Sequence, residues 1–155
     1  MSYSIIIPSF NSSDHITSKI TKLINLLNRI SIKYEIIIVD DCSTDNSPTK
    51  IIKLINSNKK IRIKIIKNTI NTGKSFSIRK AIIRSNYEKI ILIDSDLPYL
   101  YKLENIINSL KKFDLVMIDR KHSKSKNLDR SFTFYQFFRI QIGTVFNKII
   151  RVFLP

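Results

Sequence analysis

Short apolar runs alternate with longer amphipathic segments along the first 118 residues of the chain. Five of these runs are rich in β-branched residues and predict strands, at residues 3–7, 35–39, 61–66, 89–93 and 113–118. Near-continuous apolar runs of this length are typical of a parallel sheet that is buried on both faces.

The segments between the strands repeat apolar side chains at helical spacing. They predict helices at residues 14–30, 47–56, 74–86 and 100–112. Pro48 fits the first turn of the second helix. Strand–helix alternation indicates an α/β layered fold, with a mostly parallel central sheet, flanking helices and right-handed crossovers.

The last part of the chain has a different pattern. Residues 121–127 are polar and basic and predict a loop, whereas residues 130–154 predict one long helix, or two with a break near Gly143. This helical segment is dense in aromatic residues and carries basic ones, so it is too charged to span a bilayer but suits the membrane interface. Packing on the sheet or on a partner subunit is the alternative.

Composition and charge narrow the class of protein. A length of 155 residues suggests one domain, and 43% hydrophobic residues exclude a disordered chain. Cys42 is the single cysteine, so neither an intramolecular disulfide nor a cysteine zinc site can form, which fits a reducing compartment. The sequence shows no signal-peptide pattern and no uncharged apolar run long enough for a transmembrane span.

The formal net charge is +15, and the excess of basic residues begins after residue 50. This charge favours polyanionic partners: nucleotide phosphates, an anionic membrane surface or nucleic acid. An AT-rich coding sequence, which enriches Ile, Lys and Asn, is the alternative explanation of the charge.

Polar and acidic residues follow each predicted strand. They occupy residues 8–11, 40–45, 68–74, 94–96 and 119–120. Because ligands of open α/β sheets bind at the carboxyl ends of the strands, these residues are expected to converge on one edge.

Asp94 and Asp96 are the sharpest pair in that set. In an extended segment, residues i and i+2 point to the same side, so the two carboxylates would repel each other unless a cation lay between them. A hard divalent cation, Mg²⁺ or Mn²⁺, suits such oxygen ligands. A pair of turn or helix-capping aspartates is the alternative.

Asp40 and Asp41 follow the second predicted strand. One of them could cap the next turn, and the other could accept hydrogen bonds from a nucleobase or ribose. Asp45 is expected to be structural.

Other sites are weakly supported or excluded. Asn71–Ser75 reads NTGKS, but the first glycine of a P-loop would fall at Asn68, so a P-loop is not expected. Gly73 and Lys74 at a helix start still suit the approach of an anion. His15 and His122 lack a second histidine at ligand spacing and are expected at the surface, and no Ser/His/Asp nucleophilic pattern is present.

Taken together, the segments YSIIIPSFN, EIIIVDDCSTDNS, NTINTGKS, KIILIDSD and MIDR resemble the family 2 glycosyltransferases of GT-A fold. The resemblance covers residues 3–120 and is closest to the polyprenyl-phosphate (dolichyl-phosphate) mannosyl- and glucosyltransferases. It implies a GT-A catalytic domain over residues 1–128, with residues 129–155 as a C-terminal amphipathic helical segment of the same domain. It also implies a peripheral location on the cytoplasmic face of a membrane.

The resemblance assigns roles residue by residue. Those implied for the nucleoside pocket are Pro8, Phe10, Val39 and Asp41. Gly73, Lys74 and Ser95 complete the substrate-binding set. Asp94 and Asp96 would hold Mg²⁺ or Mn²⁺ and the nucleotide diphosphate. Arg120 and Arg130 match positions that bind the phosphates of donor and acceptor, to which the guanidinium fork is suited.

The implied reaction moves a hexose from a GDP- or UDP-sugar to a polyprenyl phosphate with inversion. A phosphate acceptor is already an anion and needs little deprotonation, whereas a sugar hydroxyl needs a positioned general base, for which Asp119 and Asp129 are the alternatives. The sequence departs from the family pattern at Ser12, Cys42, Ser75 and Pro98, and related enzymes usually continue well beyond the length of this chain. The alternatives are therefore a truncated, inactive GT-A domain that binds nucleotide or a partner, and, less favoured, a basic nucleic-acid-binding α/β module.

Overall fold

The computed structural model describes residues 1–58 and 62–118. Over these residues it contains four strands and four α-helices. The strands are β1 (Ser2–Ser9), β2 (Lys33–Asp40), β3 (Ile63–Lys67) and β4 (Lys89–Leu92). The helices are α1 (Ile16–Ile30), α2 (Ser47–Ser57), α3 (Lys74–Ile83) and α4 (Leu103–Ser109), the last preceded by a 3₁₀ turn at Leu100–Lys102. All of these elements belong to one compact unit, Met1–Val116.

The four strands form a single parallel sheet in the order β3-β2-β1-β4. The register pairs Ser9 with Asp40, the last residues of β1 and β2, and pairs Ile6 with Leu92 at the end of β4. The first three strands are laid down in one direction across the sheet, and β4 then pairs on the other side of β1. The carboxyl ends of β1 and β4 therefore flank a topological switch point, where α/β proteins bind their ligands.

Two apolar clusters cover the two faces of the sheet. The larger cluster joins β1 and β2 to the buried sides of α1, α2 and α4, and includes Ile5, Leu23, Ile36 and Ile107. The smaller one lies on the opposite face, where Ile6, Ile37 and Val39 meet Ala81 of α3. Among the described residues α3 is the helix in this second cluster, so the sheet is packed far more heavily on one face.

A buried carboxylate ties the amino ends of the strands together. Glu35 of β2 is fully buried and accepts hydrogen bonds from the Ser4 hydroxyl (2.7 Å) and from the backbone N–H (2.6 Å) and side-chain amide (2.7 Å) of Asn86. The Lys64 ammonium lies 3.0 Å from the same carboxylate. Glu35 thus joins β1, β3 and the turn that precedes β4.

The predicted α/β fold is confirmed, with shifted element ends. Residues 14 and 15 lie outside α1, because a turn in which Ile16 N–H donates to Ser12 C=O (3.0 Å) precedes the helix. The third predicted helix ends at Ile83, and the fourth is divided into the 3₁₀ turn and α4.

The fifth predicted strand, at residues 113–118, is wrong for the described sheet, which ends at β4. A strand needs a ladder partner, and this segment makes none there; Leu115 and Met117 are 76% and 80% exposed. The predictions for residues 121–127 and 130–154, and the boundary at residue 128, lie outside the described residues. Among the residues that the structure describes, no helix has the length and hydropathy that crossing a membrane would require.

Candidate active site

An open cleft of about 210 Å³ lies at the carboxyl edge of the sheet, at the switch point between β1 and β4. Its lining residues are Pro8, Ser9, Phe10, Asp41, Lys74, Asp94 and Ser95. All of these except Ser9 were assigned to substrate or metal from the sequence. The convergence arises because three separate strand ends and the start of α3 meet at one edge.

Asp41 is the most heavily bonded side chain of the cleft. Its Oδ1 accepts hydrogen bonds from Asn68 Nδ2 (2.7 Å) and from the Thr72 backbone N–H and hydroxyl (3.0 Å each), and its Oδ2 accepts one from Gly73 N–H (2.8 Å). Burial raises the pKa of this carboxyl, but the hydrogen bonds outweigh it, so the pKa lies below its usual value. Asp41 is therefore a fixed anion that anchors the loop before α3 to the end of β2.

Asn68 extends this network towards α3. Its buried side-chain amide donates to Asp41, Thr72 Oγ1 (3.0 Å) and Ser77 Oγ (2.9 Å), and its Oδ1 accepts a hydrogen bond from Lys80 Nζ (2.8 Å). The sequence placed Asn68 among the polar residues that follow the third predicted strand, and as the position where a P-loop would need glycine, but assigned it no contact. Nothing local in the sequence marks it as the residue that joins two turns of α3 to the cleft.

Gly73 and Lys74 begin α3 at the cleft. Gly73 has φ +84°, a conformation that L side chains rarely adopt, so glycine is required here although a Cβ would meet no atom within 4 Å. The Lys74 ammonium pairs with Asp94 Oδ1 at 2.5 Å, and both side chains are partly exposed. The pair links the start of α3 to the end of β4.

The segment that carries Asp94 and Asp96 is a turn, so the extended geometry expected from the sequence is wrong. Leu97 N–H donates to Asp94 C=O (2.9 Å), and Leu97 has φ +48°. Asp94 lines the cleft, whereas Asp96 is exposed and lies outside the lining set. The turn breaks the two-residue alternation on which the sequence argument for paired carboxylates depended.

The carboxylates at the cleft are the candidate ligands for a divalent cation. The described residues contain no group of three or more His, Cys, Asp or Glu side chains placed to hold a metal ion. Mg²⁺ keeps several waters and is commonly held by one or two carboxylates together with substrate phosphates, and Asp94 on the cleft wall fits that pattern. Asp94 would therefore hold such an ion only as part of a complex with a phosphorylated ligand, and Asp96 lies on the same turn outside the lining set.

Two polar atoms at this edge have no hydrogen-bond partner in the described part of the molecule, namely Ser9 Oγ and Asp40 Oδ1. Both side chains are buried, and Ser9 and Asp40 are register partners at the ends of β1 and β2. Buried polar groups are nearly always paired, so an unpaired hydroxyl on the cleft wall suits a polar ligand or an ordered water. The signal in the sequence was the position of Ser9 among the polar residues that follow the first predicted strand.

The loops behind the cleft are held by short side chains. Asp45 accepts hydrogen bonds from the backbone N–H groups of Ser13 and Ser47 (2.9 Å each), and Asn11 Oδ1 accepts one from Thr44 N–H (2.9 Å). Burial raises the pKa of Asp45, but its hydrogen bonds lower it to about 2. Asp45 lies outside the cleft lining, in the structural place expected from the sequence.

Val39, a predicted site residue, lies away from the cleft. Val39 is fully buried in the smaller apolar cluster, so its side chain is not part of the cleft wall to which the sequence assigned it. β-Strand alternation explains its position, since Val39 shares a face with Ile37. Arg120 and Arg130 lie outside the described residues.

Comparison with solved structures places this architecture among the GT-A glycosyltransferases. The mannosyltransferase PcManGT from Pyrobaculum calidifontis, in complex with GDP-Man and Mn²⁺, is similar with a TM-score of 0.62 and 24% identity over 70% of this chain and 32% of that one. TarS 1-349 from S. aureus in complex with UDP is similar with a TM-score of 0.52 and 26% identity over 70% and 32%.

A third similar structure is glucosyl-3-phosphoglycerate synthase from Mycobacterium tuberculosis, in complex with Mn²⁺, UDP and glucosyl-3-phosphoglycerate. It has a TM-score of 0.56 and 19% identity over 70% of this chain and 39% of that one. The chain thus spans about one third of the length of these structures. A search of curated protein sequences gives no match.

The parallel sheet, its strand order and its flanking helices define a GT-A fold. The model of Glycosyl transferase family 2 matches residues 4–151, and the chain belongs to that family.

Proposed function

We propose that this chain binds a nucleotide-diphosphate hexose, with GDP or UDP as its nucleotide, and transfers the hexose to a polyprenyl phosphate. The observation that carries the donor site is the convergence of Phe10, Asp41, Lys74 and Asp94 on one cleft at the switch point. TarS, the similar structure with 26% identity, contains UDP, which supports a donor of this class.

Each lining group suits one part of such a donor. Phe10 is about half exposed beside Pro8, and its ring offers a stacking surface to a nucleobase. Lys74, at the N-terminus of α3, offers an ammonium group to a diphosphate, and the helix N-terminus adds a partial positive charge. Asp41 Oδ2 accepts one protein hydrogen bond, and a carboxylate oxygen accepts two, so it can also accept one from a base or ribose.

Asp94 and Asp96 would hold Mg²⁺ or Mn²⁺ together with the donor phosphates. When bound, such an ion neutralises the charge that develops on the departing diphosphate. Before the donor arrives, the Lys74 ammonium provides a positive charge beside Asp94. When the donor binds, the Lys74 ammonium can leave Asp94 and pair with a phosphate oxygen instead.

The acidic groups of the cleft favour an acceptor that is already ionised. Asp41 has a lowered pKa, which makes it a weak base, and Asp94 is paired with Lys74. An acceptor phosphate oxygen needs no deprotonation: it attacks the anomeric carbon, the bond from that carbon to the diphosphate oxygen breaks, and the configuration inverts. We therefore propose the polyprenyl phosphate acceptor and a peripheral location on the cytoplasmic face of a membrane.

The donor site is tested by thermal unfolding with UDP, GDP and their hexose conjugates, each with and without Mn²⁺. We expect the nucleotides to raise the unfolding temperature only when metal is present. The apparent affinity for nucleotide should be at least tenfold lower in Asp94→Asn. Asp114→Asn is the matched control, because it removes the same charge from an exposed position outside the cleft.

Transfer is then measured as radiolabelled hexose that partitions with polyprenyl phosphate into organic solvent. Donor binding without product, with either polyprenyl phosphate or sugar acceptors, would indicate a domain that binds nucleotide without turnover. No stabilisation by any nucleotide at millimolar concentration would contradict the donor site itself.

A further inference from the structure

The polarity of α3 is the reverse of that expected for a helix on a sheet. Its buried residues are Ser77 and Ala81. Large apolar residues point outward instead: Phe76 is 52% exposed, Ile82 43% and Ile83 73%. A surface helix normally turns its apolar stripe towards the core.

The inward side of α3 is explained by close packing. Ala81 joins Ile6, Ile37 and Val39 in the smaller cluster, and small side chains allow the helix to approach the strands closely. Ser77 is satisfied there, since its Oγ accepts a hydrogen bond from Asn68. The fold therefore accounts for Ser77 and Ala81, whereas residues 1–58 and 62–118 leave the phenylalanine and the two isoleucines exposed.

The exposed residues share one side of the helix. At about 100° per residue, Phe76, Arg79, Ile82 and Ile83 fall within one arc, opposite Ser77 and Ala81. These four residues are called the outer face of α3. Phe76 and Ile83 lie about two turns apart, so the outer face is an apolar strip with Arg79 at its centre.

We propose that the outer face of α3 lies on an anionic membrane surface. Arg79 is the basic residue of the outer face, whereas Lys74 and Lys80 bind Asp94 and Asn68 away from it. Residues 74–84 contain no acidic residue, and the chain as a whole carries a formal charge of +15. Apolar side chains combined with lysine and arginine are typical of helices that lie in the interface of anionic bilayers. A second copy of the chain fits less well, because a twofold contact would place Arg79 near its own copy.

This surface would bring the cleft to the lipid. Phe76 follows two residues after Lys74, which lines the cleft from the other side of α3, so the outer face begins within one turn of the proposed diphosphate site. A phosphate headgroup in the same membrane would approach the cleft from that side. The inference deepens the proposed function and rests on its membrane association, but it is measured without donor or acceptor.

Flotation of the full chain with vesicles tests the proposal, using phosphatidylcholine alone and phosphatidylcholine mixed with phosphatidylglycerol. We expect the double variant Phe76→Ser/Ile83→Ser to bind anionic vesicles about tenfold more weakly than wild type. The control Tyr101→Ser/Phe113→Ser removes two exposed aromatic residues from elsewhere and should retain wild-type binding. Arg79→Gln should weaken binding about fivefold on anionic vesicles and leave binding to phosphatidylcholine unchanged.

Wild-type binding by the outer-face variant, or equal losses in the two double variants, would overturn the proposal. A concentration-dependent dimer that the outer-face variant abolishes would also overturn it, since the face would then bind a second copy. Nucleotide-induced thermal stabilisation, measured without vesicles, shows whether each variant keeps its fold and its donor site. If that stabilisation is absent in wild type while vesicle binding behaves as expected, the donor assignment fails and the membrane surface stands.

Discussion

Cys42 shows how one residue departs from the local conformational rule. It has φ +62°, in the left-handed region that favours glycine, and glycine is usual at this position in the family pattern. The neighbouring anchors, Asp41 on one side and the Ser43 and Thr44 contacts to Asn11 on the other, hold the backbone in this conformation. The departure therefore places a residue with a Cβ in the left-handed region, where it is strained.

We expect Cys42→Gly to raise the free energy of unfolding by about 1 kcal/mol, because it removes the left-handed strain. Urea unfolding monitored by circular dichroism measures the change. Cys42→Ala is the control, since alanine keeps the Cβ and should give no such gain. A Gly variant no more stable than the Ala variant would show that the loop is not strained at residue 42.

Asp41 is the second residue whose role is defined by its contacts. Four hydrogen-bond donors converge on its carboxylate, and an amide in its place would direct an N–H₂ group at one or more of them. We expect Asp41→Asn to lower the free energy of unfolding by about 2–3 kcal/mol, as buried donors lose their acceptor. The measurement is urea unfolding at pH 7, with Asp96→Asn as an exposed control that should change stability only slightly, as surface substitutions usually do. Equal effects of the two substitutions would contradict the anchoring role.

At the scale of elements, hydrophobic periodicity predicted the existence and type of four strands and four helices well. Element ends depended on turns such as the one at Ser12, which apolar spacing does not encode. Residues 113–118 have the composition of a strand, but composition does not provide a ladder partner. α3 was predicted because its sequence suits a helix, whereas its outward apolar side follows from how closely it packs on β1 and β2.

The amino ends of the strands depend on Glu35. We expect Glu35→Gln to destabilise the protein by about 3 kcal/mol, because the fully buried amide directs N–H groups at the donors of Ser4 and Asn86 and no longer balances the Lys64 charge. Lys64→Met should cost about 1 kcal/mol at most, since Lys64 is 44% exposed and the other donors remain. Urea unfolding of both variants measures which one loses more free energy of unfolding. A larger loss in Lys64→Met than in Glu35→Gln would contradict the role of Glu35.

At the scale of the whole molecule, the sequence predicted that the residues of the candidate site meet at one edge of the sheet. Strand ends of a parallel sheet meet at one edge, so Pro8, Asp41 and Asp94 were expected together and lie together. The pairing of Lys74 with Asp94, the position of Val39 and the turn at Asp94 could not be predicted. Each of these depends on side-chain direction across elements distant in sequence, which neither spacing nor composition defines.

The stability of the whole molecule should fall in acid. Burial raises the pKa of Glu35, Asp41 and Asp45, but their hydrogen bonds lower it by more. At Glu35 the Lys64 charge adds to this lowering, so all three pKa values lie below their usual range. A carboxyl with a lower pKa in the folded state binds fewer protons folded than unfolded. Its contribution is complete above the unfolded pKa of about 4 and is lost as the pH falls through the folded pKa.

We therefore expect the free energy of unfolding to decrease steeply between about pH 5 and pH 2, and less steeply in Asp41→Asn, which lacks one of these groups. Urea titrations at half-unit pH intervals provide the curves. If the free energy of unfolding decreased equally steeply with falling pH in wild type and variant, the lowered pKa of Asp41 would be contradicted.

The strand order has a consequence for how the chain is made. β1 lies between β2 and β4, yet it is synthesised before both, and β4 leaves the ribosome only after β2, β3 and the first three helices. Until then one edge of a strand with five consecutive fully buried positions stays open to other chains. Pairings this distant in sequence slow folding and prolong exposure to aggregation. Expression at low temperature or with a chaperone that shields this edge should therefore raise the yield of soluble protein.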